Sequence, residues 1–326
     1  MARAWHLKSR PTGTPTADTF ELVEHALPPL AEGQMRVRNL WLSVDPYMRG
    51  RMNDAKSYAP PFALGEPMGG GAVGEVVESR AEGFAPGDKV SHMQGWRDEA
   101  VLGAGEATRI PPSSLPDQLY LGHLGLTGMT AYFGLLVVGE AKEGETVFVS
   151  GAAGAVGSAV VQIARIKGMT VIGSAGGPEK CALLGAHHVI DYKAPGSLVR
   201  KLREAAPDGI DVYFDNVGGA HLDAALATAR LDARFAECGM IEAYNKTEPT
   251  SLRYLMQIIA ARVRIRGFIV SDFFDRLGEF QQAMSGWIAE GRMANHETVR
   301  HGLEAMPDAF LGLFSGENSG KMLVKL

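Results

Sequence analysis

Apolar residues along this chain change their period near residue 120. Before that point they form short, Val-rich runs separated by Pro and Gly: "MRVRNLWLSV", "GGGAVGEVVES" and "GDKVSHM" each read as a strand closed by a turn. Pro86-Gly87 in "FAPGDKV" fits turn geometry ahead of such a strand. This texture predicts an irregular all-β domain. From about 121 to 295, strand-like runs alternate with helical ones: "ETVFVSG", a helix from about 155 to 167, "MTVIGSA", "IDVYFDNVGG", "ARFAECGM" and "VRIRGFIV". Such alternation predicts parallel strands with crossover helices. In "RLGEFQQAMSGWIAEGRM", Leu277, Phe280, Met284, Trp287 and Ile288 have helical spacing, and Gly291 ends the run. From about 296 short strand and helix signals mix, finishing in "GKMLVKL"; periodicity leaves open which domain they join.

The strongest local signal is "TVFVSGAAGAVGSAVVQIARIKG" (146–168). An apolar strand, Thr146–Ser150, runs into Gly151-Ala152-Ala153-Gly154-Ala155-Val156-Gly157, and a helix follows. Gly154 and Gly157 fit the last two positions of the dinucleotide fingerprint. There one glycine lets the backbone approach a pyrophosphate and the other lets helix and strand pack closely. Ala152 replaces the first fingerprint glycine, with Gly151 before it. The helix N-terminus offers N–H groups and a positive dipole end to phosphates. At the end of the next strand, "VIGSAGGPEK" (171–180), an Asp or Glu would bind the ribose diol of NAD and repel a 2′-phosphate. Ser174 and small residues stand there instead, followed by Lys180, whose amine pairs with a phosphate as a point charge. The expected cofactor is therefore NADP(H). A further strand ends in "YFDNVGG" (213–219), where Asn216 offers both donor and acceptor at the edge of the cofactor crevice.

Composition narrows the classes. With 326 residues, 46% hydrophobic and 21% charged, the chain has an ordinary soluble balance and length for two domains. Its net charge of −5 is spread without a basic block, so neither nucleic acid nor a membrane surface is an expected partner. No run of about 18 apolar residues appears, and the opening "MARAWHLKSRP" lacks the apolar core of a signal peptide. A reducing, cytoplasmic setting is expected. Cys181 and Cys238 build neither a four-thiolate zinc lobe nor a disulfide framework.

The segments "SVDPYMRGRM" (43–52), "GLTGMTAYFGLL" (125–136), "GAAGAVGS" (151–158), "DVYFDNVGG" (211–219), "CGMIEAYN" (238–245) and "GENSGKMLVKL" (316–326) form a specific combination. Together they resemble the zinc-free leukotriene hydroxydehydrogenase/prostaglandin reductase branch of the medium-chain dehydrogenase/reductase superfamily, which includes alkenal double-bond reductases and curcumin reductases. The resemblance spans nearly the whole chain. It implies an α/β fold: a Rossmann doubly wound parallel sheet over 122–295, and a GroES-like irregular β-barrel catalytic domain from 1–121 with 296–326. It implies cofactor contacts from Ala153, Gly154, Ala155, Val156, Gly157, Ser174, Lys180, Tyr192, Asn216 and Asn318. Backbone contacts are implied from Cys238, Gly239, Met240, Ile241 and Tyr244, and from Phe268, Ile269 and Val270. If Asn318 reaches the cofactor, the tail belongs with the first domain. Two departures stand out. Gly177 occupies a place where a Ser often precedes the lysine, and "KCALLGAHHVIDY" looks about three residues short of the family pattern just before Tyr192. Family members are often homodimers paired at the nucleotide-domain sheet edge, for which "VRIRGFIV" is the candidate.

Zinc-dependent relatives carry Gly-His-Glu before their glycine cluster, whereas "LGEPMGGGAVGEV" has Glu66-Pro67 there, and no Cys lies in the first 180 residues. Three zinc ligands are not assembled; His92 and His123 read as packing or solvated residues, and no metal is expected. This favours conjugate reduction over alcohol oxidation. In an α,β-unsaturated aldehyde or ketone, hydride at the β-carbon leaves an enolate that hydrogen-bond donors stabilise. The resemblance assigns Tyr244 as the catalytic donor to the enolate oxygen, or as the orienter of the nicotinamide ribose hydroxyl. It assigns Tyr47 to the substrate pocket, with Asp45 and Arg49 fixing that loop by local hydrogen bonds and charge pairing. The expected activity is NADPH-dependent 2-alkenal/2-alkenone reduction. An NADPH quinone oxidoreductase and a non-catalytic NADPH-binding protein are the alternatives.

Overall fold

Alternating burial in the first 110 residues produces seven short strands in the computed structural model, which describes all 326 residues. β1 (Ala2–Leu7) and β2 (Phe20–His25) form an antiparallel pair. β3 (Gln34–Ser43), β4 (Ala72–Ser79), β5 (Lys89–His92), β6 (Glu99–Gly103) and β7 (Ala107–Arg109) share a larger sheet. In β3, Met35, Val37 and Asn39 point inward; a register shift between Asn39 and Trp41 then resets the phase so that Leu42 is also buried. A one-turn helix, α1 (Met48–Arg51), follows β3. Its Met48 side chain is fixed from two sides. The Trp96 indole N–H points at the Met48 sulfur (3.2 Å), and Gly70 leaves room for the Met48 methyl that any Cβ would fill.

The second region starts with α2 (Leu126–Phe133). Next come β8 (Thr146–Val149), α3 (Ala155–Ile166), β9 (Thr170–Ala175), α4 (Pro178–Ala182), β10 (His188–Asp191) and α5 (Leu198–Ala205). Then follow β11 (Ile210–Asp215), α6 (Gly219–Ala227), β12 (Ala229–Glu237), α7 (Gln257–Ala260), β13 (Arg264–Gly267) and α8 (Leu277–Ala289). All six strands are parallel, in the order β10-β9-β8-β11-β12-β13. This is the doubly wound order, and the direction of winding reverses between β8 and β11. Strands covered on both faces carry unbroken apolar runs: Val147, Phe148 and Val149 of β8 and Val212, Tyr213 and Phe214 of β11 are fully buried. On α8, Phe280 and Met284 of the expected apolar face are buried, while Leu277, Trp287 and Ile288 are half-buried.

The chain then returns through β14 (Glu297–His301), α9 (Met306–Ser315) and β15 (Lys321–Lys325). β15 lies antiparallel to β3, with Leu323 opposite Ser43, and parallel to β14. Phe310 of α9 meets Trp96 edge-on at 5.8 Å, and Trp96 stacks on Phe20 at 5.5 Å. One unit is thus Met1–Gly125 with Glu297–Leu326; the other is Leu126–His296.

Gly157 marks the tightest crossing of helix and turn. A Cβ there would overlap the Gly151 carbonyl oxygen and lie 2.8 Å from Ala152 Cα. Backbone atoms cannot rotate aside, so Gly157→Ala pushes α3 off the turn. The expected loss is about 1–3 kcal/mol, the usual range for overpacking, read as a lower urea midpoint at constant m value.

Candidate active site

The turn after β8 is built for close approach. Gly151 has φ 57°, a left-handed conformation that a side chain disfavours. It makes the sharp reversal just ahead of Ala152, which explains why Ala152 is tolerated in the fingerprint. Ala152 N–H donates to the Ser174 carbonyl (2.9 Å), and Gly154 N–H to the Gly151 carbonyl (2.9 Å). Gly154 is the N-cap of α3 and has no side chain to cap it, and no acid lies in the first turn. The N–H groups of Ala155, Val156 and Gly157 therefore meet no side-chain acceptor. A bare helix N-terminus of this kind binds anions.

Ser174, at the end of β9, departs from its expected role. Its side chain is fully buried and its hydroxyl lies 2.8 Å from His221 Nε2. The Ser174 carbonyl, for its part, accepts the Ala152 N–H of the cradle. Beyond the strand, half-buried Lys180 sits on α4. Burial lowers its pKa below the ordinary lysine value, and the nearby Lys193 ammonium lowers it further. The Tyr192 hydroxyl and Lys193 Cε lie 2.7 and 2.9 Å from where a Cβ on Gly176 would be. The Tyr192 ring meets His221 edge-on at 5.1 Å. Asp191 Oδ1 accepts the N–H groups of Gly177 and Lys193, both at 2.9 Å, pinning the two loops together. Lys180, Tyr192 and Lys193 thus converge around Gly176-Gly177. Lys193 was not singled out in the sequence; its only signal is its place beside Tyr192 in "IDYK".

Three turns meet at Asp215, the buried last residue of β11. Its Oδ1 accepts the Tyr213 hydroxyl (2.6 Å), the Ser150 hydroxyl (2.8 Å) and the N–H groups of Val217 and Gly218 (2.8 Å each). Its carbonyl accepts Cys238 N–H (3.0 Å) and Gly239 N–H (3.1 Å) from the end of β12. Asn216 donates its N–H to Ser150 Oγ (2.9 Å) and its side-chain amide to the Ser150 carbonyl (2.7 Å). Ile241 N–H reaches the Asn216 carbonyl (3.3 Å), and Met240 packs over Gly218. The Tyr244 hydroxyl lies across Gly239, 3.0 Å from where a Cβ would stand. Burial pushes the Cys238 thiol up to about 12, with the charges of Asp215 and Glu237 adding, so it stays protonated. The Phe268 ring is buried edge-on to Phe214 (6.3 Å) and Phe273 (6.4 Å), leaving only its backbone toward a ligand. Asp215 is the organising residue that sequence reasoning missed; its one signal is an acid closing an apolar strand.

Tyr47 and Asn318 belong to the first unit. Because β3 and β15 are antiparallel, the chain leaving Ser43 and the chain entering Lys321 lie at the same end of that pair. Asp45 accepts hydrogen bonds from the Ser43 hydroxyl and from Lys321 Nζ (3.0 Å). The Lys321 side chain is buried, and its Nζ also donates to the carbonyls of Val44 (2.9 Å) and Met322 (3.1 Å). Asp45 therefore bonds locally to Ser43 and pairs across the sheet with Lys321. Arg49 is buried as well, and donates to Asn53 Oδ1 (2.7 Å) and the Gly13 carbonyl (2.9 Å). The Tyr47 hydroxyl is buried with no hydrogen-bond partner, and burial raises its pKa well above the ordinary phenol value, with Asp45 adding. Such an orphaned donor is rare in a folded interior. The Asn318 amide donates to the Gly320 carbonyl (2.9 Å). His92 uses both ring nitrogens, toward Asn39 Oδ1 (2.9 Å) and Gln94 N–H (3.1 Å); burial lowers its pKa to about 4 and keeps it neutral.

Residues 3–110 match a family described as the N-terminal domain of oxidoreductase, and residues 155–290 one described as zinc-binding dehydrogenase. The chain is 42% identical to prostaglandin reductase 1 of Mus musculus, over 100% of this chain and 99% of that protein. It is 40% identical to the NADPH-dependent curcumin reductase of Escherichia coli (99% and 96%). It is also 40% identical to the NADP(+)-dependent 2-alkenal reductase of Nicotiana tabacum (98% and 95%). The crystal structure of CurA from Vibrio vulnificus in complex with NADPH superposes with a TM-score of 0.94 at 42% identity, covering 99% of this chain and 98% of that one.

Lys321→Met leaves Asp45 charged and unpaired beside a buried carbonyl cluster. Breaking one side of a buried pair typically costs about 3–5 kcal/mol. The denaturation midpoint should drop accordingly, and the Lys321→Met/Asp45→Asn double variant should recover most of that loss.

Proposed function

We propose that this chain, which belongs to the zinc-independent leukotriene hydroxydehydrogenase/prostaglandin reductase branch of the medium-chain dehydrogenases/reductases, is an NADPH-dependent reductase of the C=C bond in α,β-unsaturated aldehydes and ketones. One observation carries the reading. The turns joined at Asp215 bring the bare N-terminus of α3, Asn216 and the Tyr244 hydroxyl to the carboxyl ends of β8, β11 and β12. Ligands of doubly wound sheets bind at those ends, where the winding reverses.

NADPH fits the residues gathered there. Ala153 to Gly157 take the pyrophosphate on backbone N–H groups. Lys180, Lys193 and Tyr192 take the 2′-phosphate. A dianion offsets the burial and the Lys193 repulsion that lower the Lys180 pKa, and each charge-assisted bond favours the phosphorylated cofactor. The backbone of 238–241 and 268–270 would hold the nicotinamide end. The bound cofactor supplies a hydride. Hydride addition at the substrate β-carbon would leave an enolate on the carbonyl oxygen, and a proton from Tyr244 or water would then go to the α-carbon. The Tyr244 hydroxyl donates to that oxygen or holds the ribose hydroxyl that does so. Tyr47, whose hydroxyl is buried without a partner, is the second candidate donor. The tobacco relative, named for 2-alkenals, supports this class, since a 2-alkenal is a simple conjugated carbonyl. The outer edge of β13 is unpaired and its residues are exposed, and there a second copy completes a homodimer.

Three measurements test the reading. Lys180→Ala should raise the NADPH dissociation constant about 10–100-fold, the worth of one hydrogen bond to a charged group, while NADH binding changes little; equal losses for both remove the 2′-phosphate assignment. Tyr244→Phe should lower kcat by about 10²-fold or more, the usual contribution of a positioned proton donor, with NADPH still bound; full turnover by that variant removes its role. A panel of enals and enones should show NADPH consumption matched by products two hydrogens heavier.

A further inference from the structure

Glu237 ends β12 directly opposite Asp215 on β11, so both side chains project from the same face of the sheet. Asp215 Oδ1 is saturated by four donors. Asp215 Oδ2 is buried and receives none, and neither carboxyl oxygen of Glu237 does, although both are buried too. The strand register sets the two carboxyl-bearing residues side by side. One proton shared between Asp215 Oδ2 and a Glu237 oxygen gives two of these three oxygens a partner and removes the repulsion of two adjacent buried carboxylates. Oδ1 of Asp215 already accepts four hydrogen bonds, which leaves Oδ2 as the acceptor and Glu237 as the donor.

The surroundings supply no substitute. Asp215 is the charged neighbour acting on Glu237. Tyr213 and Cys238, which feel the Glu237 charge, have pKa values raised by burial and stay neutral. His221, facing Asp215, is held neutral by burial and bonded to Ser174. Glu242, which acts on His221, is paired with Lys246. β13 places Gly267 opposite Glu237, without a side chain.

We infer that Glu237 is a positioning residue for the cofactor: as a neutral acid it donates to Asp215 Oδ2, and so keeps Asp215 seated among the donors that shape the 215–218 turn and Asn216. The inference rests on the reading of Asn216 as a cofactor contact. Its consequence is a switch on the alkaline side. Burial and the Asp215 charge raise the Glu237 pKa to about 9. A carboxyl whose folded pKa exceeds its unfolded one binds more protons when folded. Its stabilising contribution is complete below the ordinary glutamate value and is lost as pH rises toward about 9. Once ionised, two carboxylates face each other in a buried site, and Asp215 leaves its donors.

The test compares NADPH dissociation constants of the wild-type protein and Glu237→Gln across the range from about pH 7 to about pH 10, with thermal scans of the same samples. Glutamine keeps a donor for Oδ2 and does not ionise. Above about pH 9 the wild-type protein should lose affinity relative to Glu237→Gln by up to about tenfold per pH unit, whereas its stability should fall against the variant's on the approach to about pH 9 and level off beyond it. Lys180 titrates in both proteins, so their ratio isolates Glu237. Parallel curves overturn the inference. If neither protein binds NADPH at neutral pH, the cofactor reading fails and this inference with it. Should Glu237→Gln fold poorly, infrared spectra of the wild-type protein read the proton directly. A buried protonated-carboxyl band that disappears at high pH upholds the pair; no such band at neutral pH overturns it.

Discussion

Four hydrogen bonds to one carboxylate oxygen hold the ligand-binding end of the second unit. Parallel strands register one another along their length, but the turns that leave their carboxyl ends have no ladder to share. Asp215 replaces it. By accepting the Ser150 hydroxyl, the Tyr213 hydroxyl and two N–H groups, it ties the turn after β8 to the turn after β11. Its carbonyl adds the end of β12. Bonds to a charged group are worth about 1.5–3 kcal/mol each, enough to keep three Gly-rich turns in one arrangement. The geometry of Asn216 and Tyr244 descends from that single anchor.

The first unit uses a different device for the same end. There a buried lysine, Lys321, neutralises Asp45 and also satisfies the carbonyls of Val44 and Met322. Met48, locked under Trp96, fixes the other side of the loop. Tyr47 stands between these restraints, with its hydroxyl buried and unpaired. A rigid loop that carries one unsatisfied donor is pre-organised: its orientation is set before any acceptor arrives.

Much of this was legible from the residues. Alternation of strand and helix patterns gave the parallel sheet, and the glycine spacing after β8 gave the cradle. The missing acid after β9 pointed to Lys180. What stayed hidden depends on distant partners or on facing. The Asp45–Lys321 pair joins residues 276 positions apart, a separation that no local reading of the sequence spans. Ser174 turned inward because β9 is buried from Val171 through Ala175; a strand apolar on both faces gives no alternation from which to read direction. Asp215 and Glu237 looked unrelated in the sequence, and only strand register sets them side by side.

The first unit is interrupted in sequence, and that fixes the order in which the molecule is completed. Phe310, which closes the aromatic group around Trp96, and β15, which covers the end of β3, are made after the whole 126–296 unit. During translation residues 1–125 leave the ribosome with an open strand edge and a gap in their core. The continuous 126–296 unit has all its strands as soon as it emerges, and domains generally fold as units. The middle of the polypeptide is therefore finished before its beginning, and the need for chaperone protection falls on the N-terminal strands while they wait.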